Sequence, residues 1–340
     1  MDMAQDRAKL AASLEIGKEI WYMTKDEVVA AGPSRPDILE LTRTALVAHG
    51  SGHYEMPAKI GVHPFTEVFF HAMPAYVPDQ LALGCKWIEC YPGNPEKFGL
   101  PQTTGLLVLN DILSGCPVAV MDCTWVTAMR TPAVTVLAAR ALHPDAETFG
   151  MFGCGVQGVE HVRYAPLAMP KLKKILVYDT REARMDDLIA QLQPGLEVEI
   201  VKGRSFEQVT KACEVLSSAT FIVREPQAFV KDAWVSPGQT ILPCDLNTFW
   251  DPATSMRADK YIVDSAAEHE LFAGAGYFPG GLPKITCQTG EVLAGTRPGR
   301  ERANELIVCS NIGMSVCDVV VGRAVLDRAL ALGIGRKLPL

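Results

Sequence analysis

A short run, Thr148–Phe152, opens directly into Gly153-Cys154-Gly155-Val156-Gln157-Gly158. A Gly-x-Gly-x-x-Gly at a strand-to-helix junction leaves few folds open. The first glycine permits a tight turn, the second lets backbone approach a pyrophosphate, and the third lets the helix pack close to the strand, with the helix N-terminus facing the phosphate charge. The next apolar run, Ile175–Tyr178, ends at Asp179, 21 residues after Gly158. This fingerprint places an acid there to bind a ribose hydroxyl. The candidate dinucleotide contacts are therefore Gly153, Gly155, Val156, Gln157, Gly158, Asp179, Thr180 and Arg181. A carboxylate at Asp179 repels the extra phosphate of NADP, so NAD is the expected cofactor. Arg181 and Arg184 keep NADP as the less favoured alternative, because a guanidinium accepts that phosphate. The competing reading of Asp179 is a solvent-facing cap on the helix that follows.

The rhythm of the chain changes at Arg130. Beyond it, a helix is expected over Thr131–Leu142, and short buried strands then alternate with helices at Thr148–Phe152, Ile175–Tyr178, Val198–Val201, Phe221–Val223, Thr240–Leu242 and Tyr261–Val263. That alternation means βαβ units and a parallel sheet. Before Arg130, Thr24 caps a first helix and Ile38–Val47 forms a second, while Pro- and Gly-punctuated runs from Tyr54 to Leu109 read as strands. Residues 1–15 read as a short helical extension or a mobile tail. Gly313–Leu332 reads as a helix that packs back on the N-terminal domain.

A chain of 340 residues, 48% hydrophobic and 21% charged, is long enough for two domains with cores of their own. Its formal charge of −7 excludes broad phosphate neutralisation, so nucleic acid is not an expected partner and a small molecule is. The ten cysteines contain no CxxC pair and no zinc spacing, and no metal is expected. Asp2 and Asp6 mark the N-terminus, and no uninterrupted apolar segment precedes Trp21. We therefore expect neither a signal peptide nor a spanning helix, no membrane partner, and a reducing cytoplasm.

Upstream of the glycine motif lie Gly84-Cys85-Lys86, Pro92-Gly93-Asn94, Ser114-Gly115-Cys116-Pro117-Val118-Ala119 and Ala128-Met129-Arg130-Thr131, and downstream lie Ser310-Asn311-Ile312-Gly313 and Asp318. This ordered series closely resembles the ornithine cyclodeaminase/mu-crystallin family over nearly the whole chain. The resemblance implies an α/β protein in which a Rossmann dinucleotide-binding domain, residues 131–312, is inserted into an α+β substrate-binding and dimerisation domain, residues 1–130 plus 313–340. It implies a homodimer, and an amino-acid substrate in a cleft between the domains. The segments that carry it add Arg130, Thr131, Ser310 and Asn311 to the dinucleotide contacts.

The resemblance further implies that a lysine and two other basic residues hold the substrate carboxylate. These map onto Lys86, Arg130 and Lys59, the last where the family usually has arginine. The chemistry wants such groups, since the carboxylate must be oriented and Arg offers a planar fork for it. Removing Lys86 or Arg130 is thus expected to cost activity far more than stability. Lys86 is also a candidate to polarise an imine. The competing readings are a cap or a structural ion pair for Arg130 and a solvated surface lysine for Lys59. His53, His63 and His71 read as structural.

Family cyclodeaminases carry an Asp just after a Rossmann strand. Counting without gaps from Pro237-Gly238 puts Asn247 at that position, and a two-residue shift would put Asp245 there. Asn cannot act as a general base. The expected activity is therefore net hydride transfer between NAD(H) and a small α-imino or α-amino acid, as an imine reductase or amino-acid dehydrogenase. The alternatives are a cyclodeaminase-type lyase with internally recycled NAD, and a non-enzymatic binding protein, against which Lys86 and Arg130 argue.

Overall fold

The computed structural model describes residues 2–340. It divides into two compact units, one running up to Arg130 and including Met314–Leu340, the other Thr131–Gly313.

The first unit contains, in chain order, α1 (Met3–Ala11), β1 (Glu19–Met23), α2 (Lys25–Ala31), α3 (Arg35–Gly50), β2 (Ile60–Val62), β3 (Phe69–Val77), β4 (Ala82–Cys90), α4 (Asn94–Phe98), β5 (Thr103–Asn110) and β6 (Pro117–Asp122). Helix α5 (Thr124–Leu142) carries the chain across the boundary. The second unit follows with β7 (Thr148–Phe152), α6 (Val156–Ala168), β8 (Lys174–Tyr178), α7 (Glu182–Leu192), β9 (Glu199–Lys202), α8 (Phe206–Ala212), β10 (Val215–Ser218) and β11 (Thr240–Pro243). It continues with α9 (Pro252–Met256), β12 (Lys260–Val263), α10 (Ala266–Gly274), β13 (Ile285–Gln288), α11 (Thr289–Leu293) and β14 (Ile307–Ser310). Helix α12 (Ser315–Leu332) and β15 (Arg336–Pro339) complete the first unit.

The first unit is a seven-stranded sheet ordered β15-β1-β6-β5-β4-β3-β2, antiparallel except where β1 meets β6. Along β3 and β4 burial alternates, and Lys86 lies opposite Met73 on the covered face. Helix α12 lies against β3, β4 and β5 and is buried almost all round. Its close approach depends on Gly322, where a Cβ would come within 2.0 Å of the Leu107 side chain. Thr24 makes a capping box with Glu27 at the start of α2, as the sequence reading expects. Residues 3–11 are a docked helix rather than a mobile tail: Arg7 pairs with Asp111, and Asp6 pairs with Arg323 of α12.

The second unit is an eight-stranded, all-parallel sheet ordered β13-β12-β14-β11-β10-β7-β8-β9. Fully buried strands such as Thr240–Pro243 and Ile307–Ser310 carry the continuous apolar runs of a sheet covered on both faces. Beside β7 the chain proceeds outward to β8, and beside β10 to β11, so the order reverses between β7 and β10. Ligands of open α/β sheets bind outside the carboxyl ends of the strands at such a reversal.

Three expectations are corrected. The strand placed at Phe221–Val223 is Val215–Ser218 instead, and Phe221 is exposed in the loop beyond it. In that loop Thr220 donates from its N–H and its hydroxyl to Asp245. The helix expected to begin at Thr131 begins at Thr124, where Asp122 accepts bonds from the Thr124 backbone and hydroxyl. The last helix opens at Ser315 rather than Gly313, whose φ of +96° is not helical.

Candidate active site

The glycine loop leaves the end of β7 at the reversal point. Gly153 has φ +93°, and a Cβ on it would meet the Ala219 carbonyl at 2.8 Å; a Cβ on Gly158 would lie 1.9 Å from the Gly153 carbonyl. Both positions admit only glycine. At Gly155 a Cβ would meet nothing nearer than Arg184 at 3.8 Å, so this backbone is open to an approaching group. Gly155 is the N-cap of α6 and supplies no side-chain cap, while Val156 is 70% exposed. A 13-residue helix thus presents its first turn of N–H groups and its positive dipole end without a capping side chain, which fits a bound pyrophosphate.

Asp179 is partly buried at the end of β8, and Thr180 and Arg181 are exposed beside it. Its Oδ2 accepts from the Cys154 N–H and its Oδ1 from the Arg181 N–H, each at 2.9 Å. The carboxylate therefore braces the glycine loop. It does not cap α7, whose N-cap Arg181 makes no side-chain cap bond. Ser310 and Asn311 are buried at the end of β14, and Thr131 is partly buried in α5.

Lys86, Arg130 and Lys59 are all buried, which removes the surface-lysine reading of Lys59. Lys86 Nζ lies 2.6 Å from Asp318 Oδ2 and Arg130 Nε 2.9 Å from Asp318 Oδ1. The structural ion pair weighed for Arg130 exists, and its partner also holds Lys86. Asp318, on α12, was legible only as part of a family-like segment, because nothing local gives a lone acid in an apolar helix a role. Burial pushes the Lys86 ammonium down to about 8, with the nearby Arg130 guanidinium acting the same way and Asp318 opposing both. Burial pushes the Asp318 carboxyl up, but the attraction of Arg130 and Lys86 and their hydrogen bonds outweigh it and hold Asp318 below the usual carboxylate range. His71 lies on the same covered face as Lys86, and burial with the charges of Lys59, His63 and Lys86 lowers it to about 3, so it is neutral.

Asp245 stands two residues past Pro243, the end of β11, and Asn247 two further on; both are buried. Both candidates for the acid after a Rossmann strand thus lie in the segment that follows β11. Asp245 accepts from the Ser218 hydroxyl at 2.8 Å, the Thr220 hydroxyl at 2.7 Å and the Thr220 N–H at 3.1 Å. Burial raises it to about 6 in spite of those bonds.

Two buried histidines escaped the sequence reading. His161 of α6 bonds the Gln157 carbonyl and the Thr135 hydroxyl, and His269 of α10 bonds the Ser265 carbonyl and the Ser310 hydroxyl. Each bridges its own helix and a distant segment. No local pattern marks such a role. Among the described residues no group of His, Cys, Asp and Glu is placed to hold a metal ion.

A doubly wound parallel sheet with this glycine loop defines a dinucleotide-dependent enzyme of the Rossmann class. The chain belongs to the ornithine cyclodeaminase/mu-crystallin family, whose model matches residues 23–333. It is 33% identical to the nodulation efficiency protein NfeD of Rhizobium meliloti over 93% of this chain and 97% of that one. Among solved structures it is similar to Thermococcus litoralis Δ1-pyrroline-2-carboxylate reductase in complex with NADH and L-proline, at 26% identity and TM-score 0.81, covering 93% of this chain and 99% of that one. An archaeal alanine dehydrogenase dimer with bound NAD matches at 27% identity and TM-score 0.82, covering 94% and 99%.

Proposed function

We propose that this chain is an NAD-dependent oxidoreductase that interconverts a small α-imino acid and its α-amino acid. The observation that carries the reading is the buried Lys86–Asp318–Arg130 cluster, in which one carboxylate faces two cations. A buried cation calls for a paired anion, and a substrate carboxylate supplies the second one. Asp318 takes Arg130 through Nε, which fixes the plane of the guanidinium for a carboxylate. Lys86 and Lys59 add charge, and Lys86, at about 8, holds a proton at neutral pH that it can pass to a substrate nitrogen.

NAD(H), when bound, accepts or supplies the hydride at the substrate α-carbon. Gly153, Gly155, Val156, Gln157 and Gly158 would hold its pyrophosphate, Asp179 with Thr180 and Arg181 its ribose, and Arg130, Thr131, Ser310 and Asn311 the remainder. NAD(H) in both solved relatives supports that choice over NADP(H).

The part up to Arg130 with Met314–Leu340 is the substrate-binding and dimerisation domain in this reading. A homodimer is supported by the archaeal dimer and by apolar surface on the seven-stranded sheet. Trp87 and Leu106, cross-strand partners, are 44% and 45% exposed, and the edge residues Ile60 and Val62 are 70% and 57% exposed. A cytoplasmic location is supported by ten scattered cysteines with no CxxC pair. No helix among the described residues is long and apolar enough to cross a membrane.

Asp245 favours the second reading, a cyclodeaminase-type lyase, since it is a carboxylate near neutrality just past a strand. Both of its oxygens already accept bonds from Ser218 and Thr220, which is why the oxidoreductase is preferred. The test is a screen of amino, imino and keto acids followed at the nicotinamide absorbance in both directions, with ammonia measured in parallel. A substrate-dependent absorbance change supports the proposal, and ammonia release without one favours the lyase.

A further inference from the structure

Thr135 on α5, His161 on α6 and Cys244 just past β11 form one set of side chains, which joins two segments that would contact the dinucleotide to the segment of Asp245. His161 Nδ1 lies 2.7 Å from the Gln157 carbonyl, and its Nε2 lies 3.0 Å from Thr135 Oγ1. Cys244 Sγ lies 3.1 Å from Thr135 Oγ1 and 3.5 Å from His161 Nε2. Thr135 Oγ1 also lies 3.4 Å from the Thr131 carbonyl. His161 and Thr135 are fully buried.

The chemistry gives this set a direction. A carbonyl oxygen only accepts, so Nδ1 carries the imidazole proton and Nε2 the lone pair. The Thr135 hydroxyl has one proton to give, and Nε2 at 3.0 Å is nearer to it than the Thr131 carbonyl at 3.4 Å, so Thr135 donates to Nε2 and its oxygen is open to the Cys244 thiol. Burial lowers the imidazole to about 4 and raises the thiol to about 12, so both groups are neutral, as this order requires.

We propose that Cys244, Thr135 and His161 form a one-way hydrogen-bond relay that positions the dinucleotide site, with Thr135 and His161 as positioning residues for cofactor affinity. The relay ends on Gln157, in the first turn of α6, where the pyrophosphate would sit. Its middle member is one helical turn from Thr131. Its thiol is adjacent to Asp245, itself tied to the end of β10. The segments of Thr131 and Gln157, which would contact the dinucleotide, and the segment of Asp245 thus share one set of bonds. Such preorganisation acts on affinity, because an ordered site loses less freedom on binding.

The inference rests on the dinucleotide reading of the glycine loop, and one titration separates the two. NADH is titrated by fluorescence into the wild-type chain and into Thr135→Val, Thr135→Ser and His161→Asn, each below its own melting temperature. Thr135→Val keeps the shape without the hydroxyl, and His161→Asn keeps the donor to Gln157 without the Nε2 acceptor. Losing one net hydrogen bond of preorganisation corresponds to about a three- to tenfold weaker NADH Kd in both. Thr135→Ser restores wild-type affinity, whereas in Thr135→Val and His161→Asn KM for NADH rises while kcat stays within about twofold. Wild-type affinity in Thr135→Val and His161→Asn overturns the relay, as does a Thr135→Ser chain that binds as poorly as Thr135→Val. A wild-type chain that does not bind NADH defeats the functional reading first.

Discussion

Arg130 and Asp318 lie 188 residues apart in the chain, and their side chains meet at 2.9 Å through Nε and Oδ1. Asp318 holds Lys86 on its other oxygen, so the two basic residues proposed to clamp the substrate are also part of a buried charge network. This bears on the expectation that removing either costs activity far more than stability. Lys86→Ala leaves Asp318 with one cation, and breaking a buried pair costs about 3–5 kcal/mol of stability. We expect Lys86→Ala and Arg130→Leu to lower the melting temperature and to reduce kcat/KM by about tenfold to a hundredfold or more. A Lys86→Met chain, which fills the space and keeps the Asp318–Arg130 pair, should lose less stability than Lys86→Ala and recover no activity. Unchanged kinetics in Arg130→Leu would remove the clamp.

The Lys86 ammonium also predicts a pH dependence. Burial lowers it from 10.5 to about 8, so it is charged and able to hold a carboxylate below that pH and neutral above it. Substrate kcat/KM is expected to fall as pH rises through about 8. Between about 8 and 10.5 the folded state binds fewer protons at this site than the unfolded state, so the contribution to stability grows with pH there and is lost as pH falls through 8. A kcat/KM profile flat through this window would show that the Lys86 charge is not used.

Much of this site was legible because its signals are local. The glycine loop and Asp179 sit at fixed spacing, and the backbone geometry at Gly153 and Gly158 explains each glycine. Arg130 and Lys86 came from ordered segments. What stayed hidden depends on pairing across the chain: the role of Asp318, the two histidine bridges, and the bonds that tie Asp245 to Ser218 and Thr220. Phe221–Val223 reads as a strand because it is β-branched and aromatic. Burial of Val215–Ser218 between β7 and β11 decides otherwise.

Asp179 braces the loop and is proposed to bind a ribose hydroxyl, so Asp179→Ala should act twice. It removes the acceptor of the Cys154 N–H and the partner of a ribose hydroxyl. NADH affinity is expected to fall by about tenfold, with the NAD-over-NADP preference narrowed. Tighter binding of NADPH than NADH by the wild type would reverse the roles of Asp179 and Arg181.

The exposed apolar edge predicts a dimer in solution. Sedimentation should show two chains, and Ile60→Asp, which puts a charge on a residue 70% exposed in the single chain, should shift the species toward monomer without lowering the melting temperature of that monomer. A wild-type monomer at high concentration would contradict the proposed assembly.

The central claim is net redox chemistry, and cofactor stoichiometry measures it most directly. Pure enzyme is given ornithine with catalytic NAD, and separately a panel of α-keto acids with an amine source and NADH. The account predicts NADH consumed one-to-one with new amino acid and no sustained turnover of ornithine. Many turnovers of ornithine to proline and ammonia on catalytic NAD would contradict it and make Asp245 the acid of a cyclodeaminase.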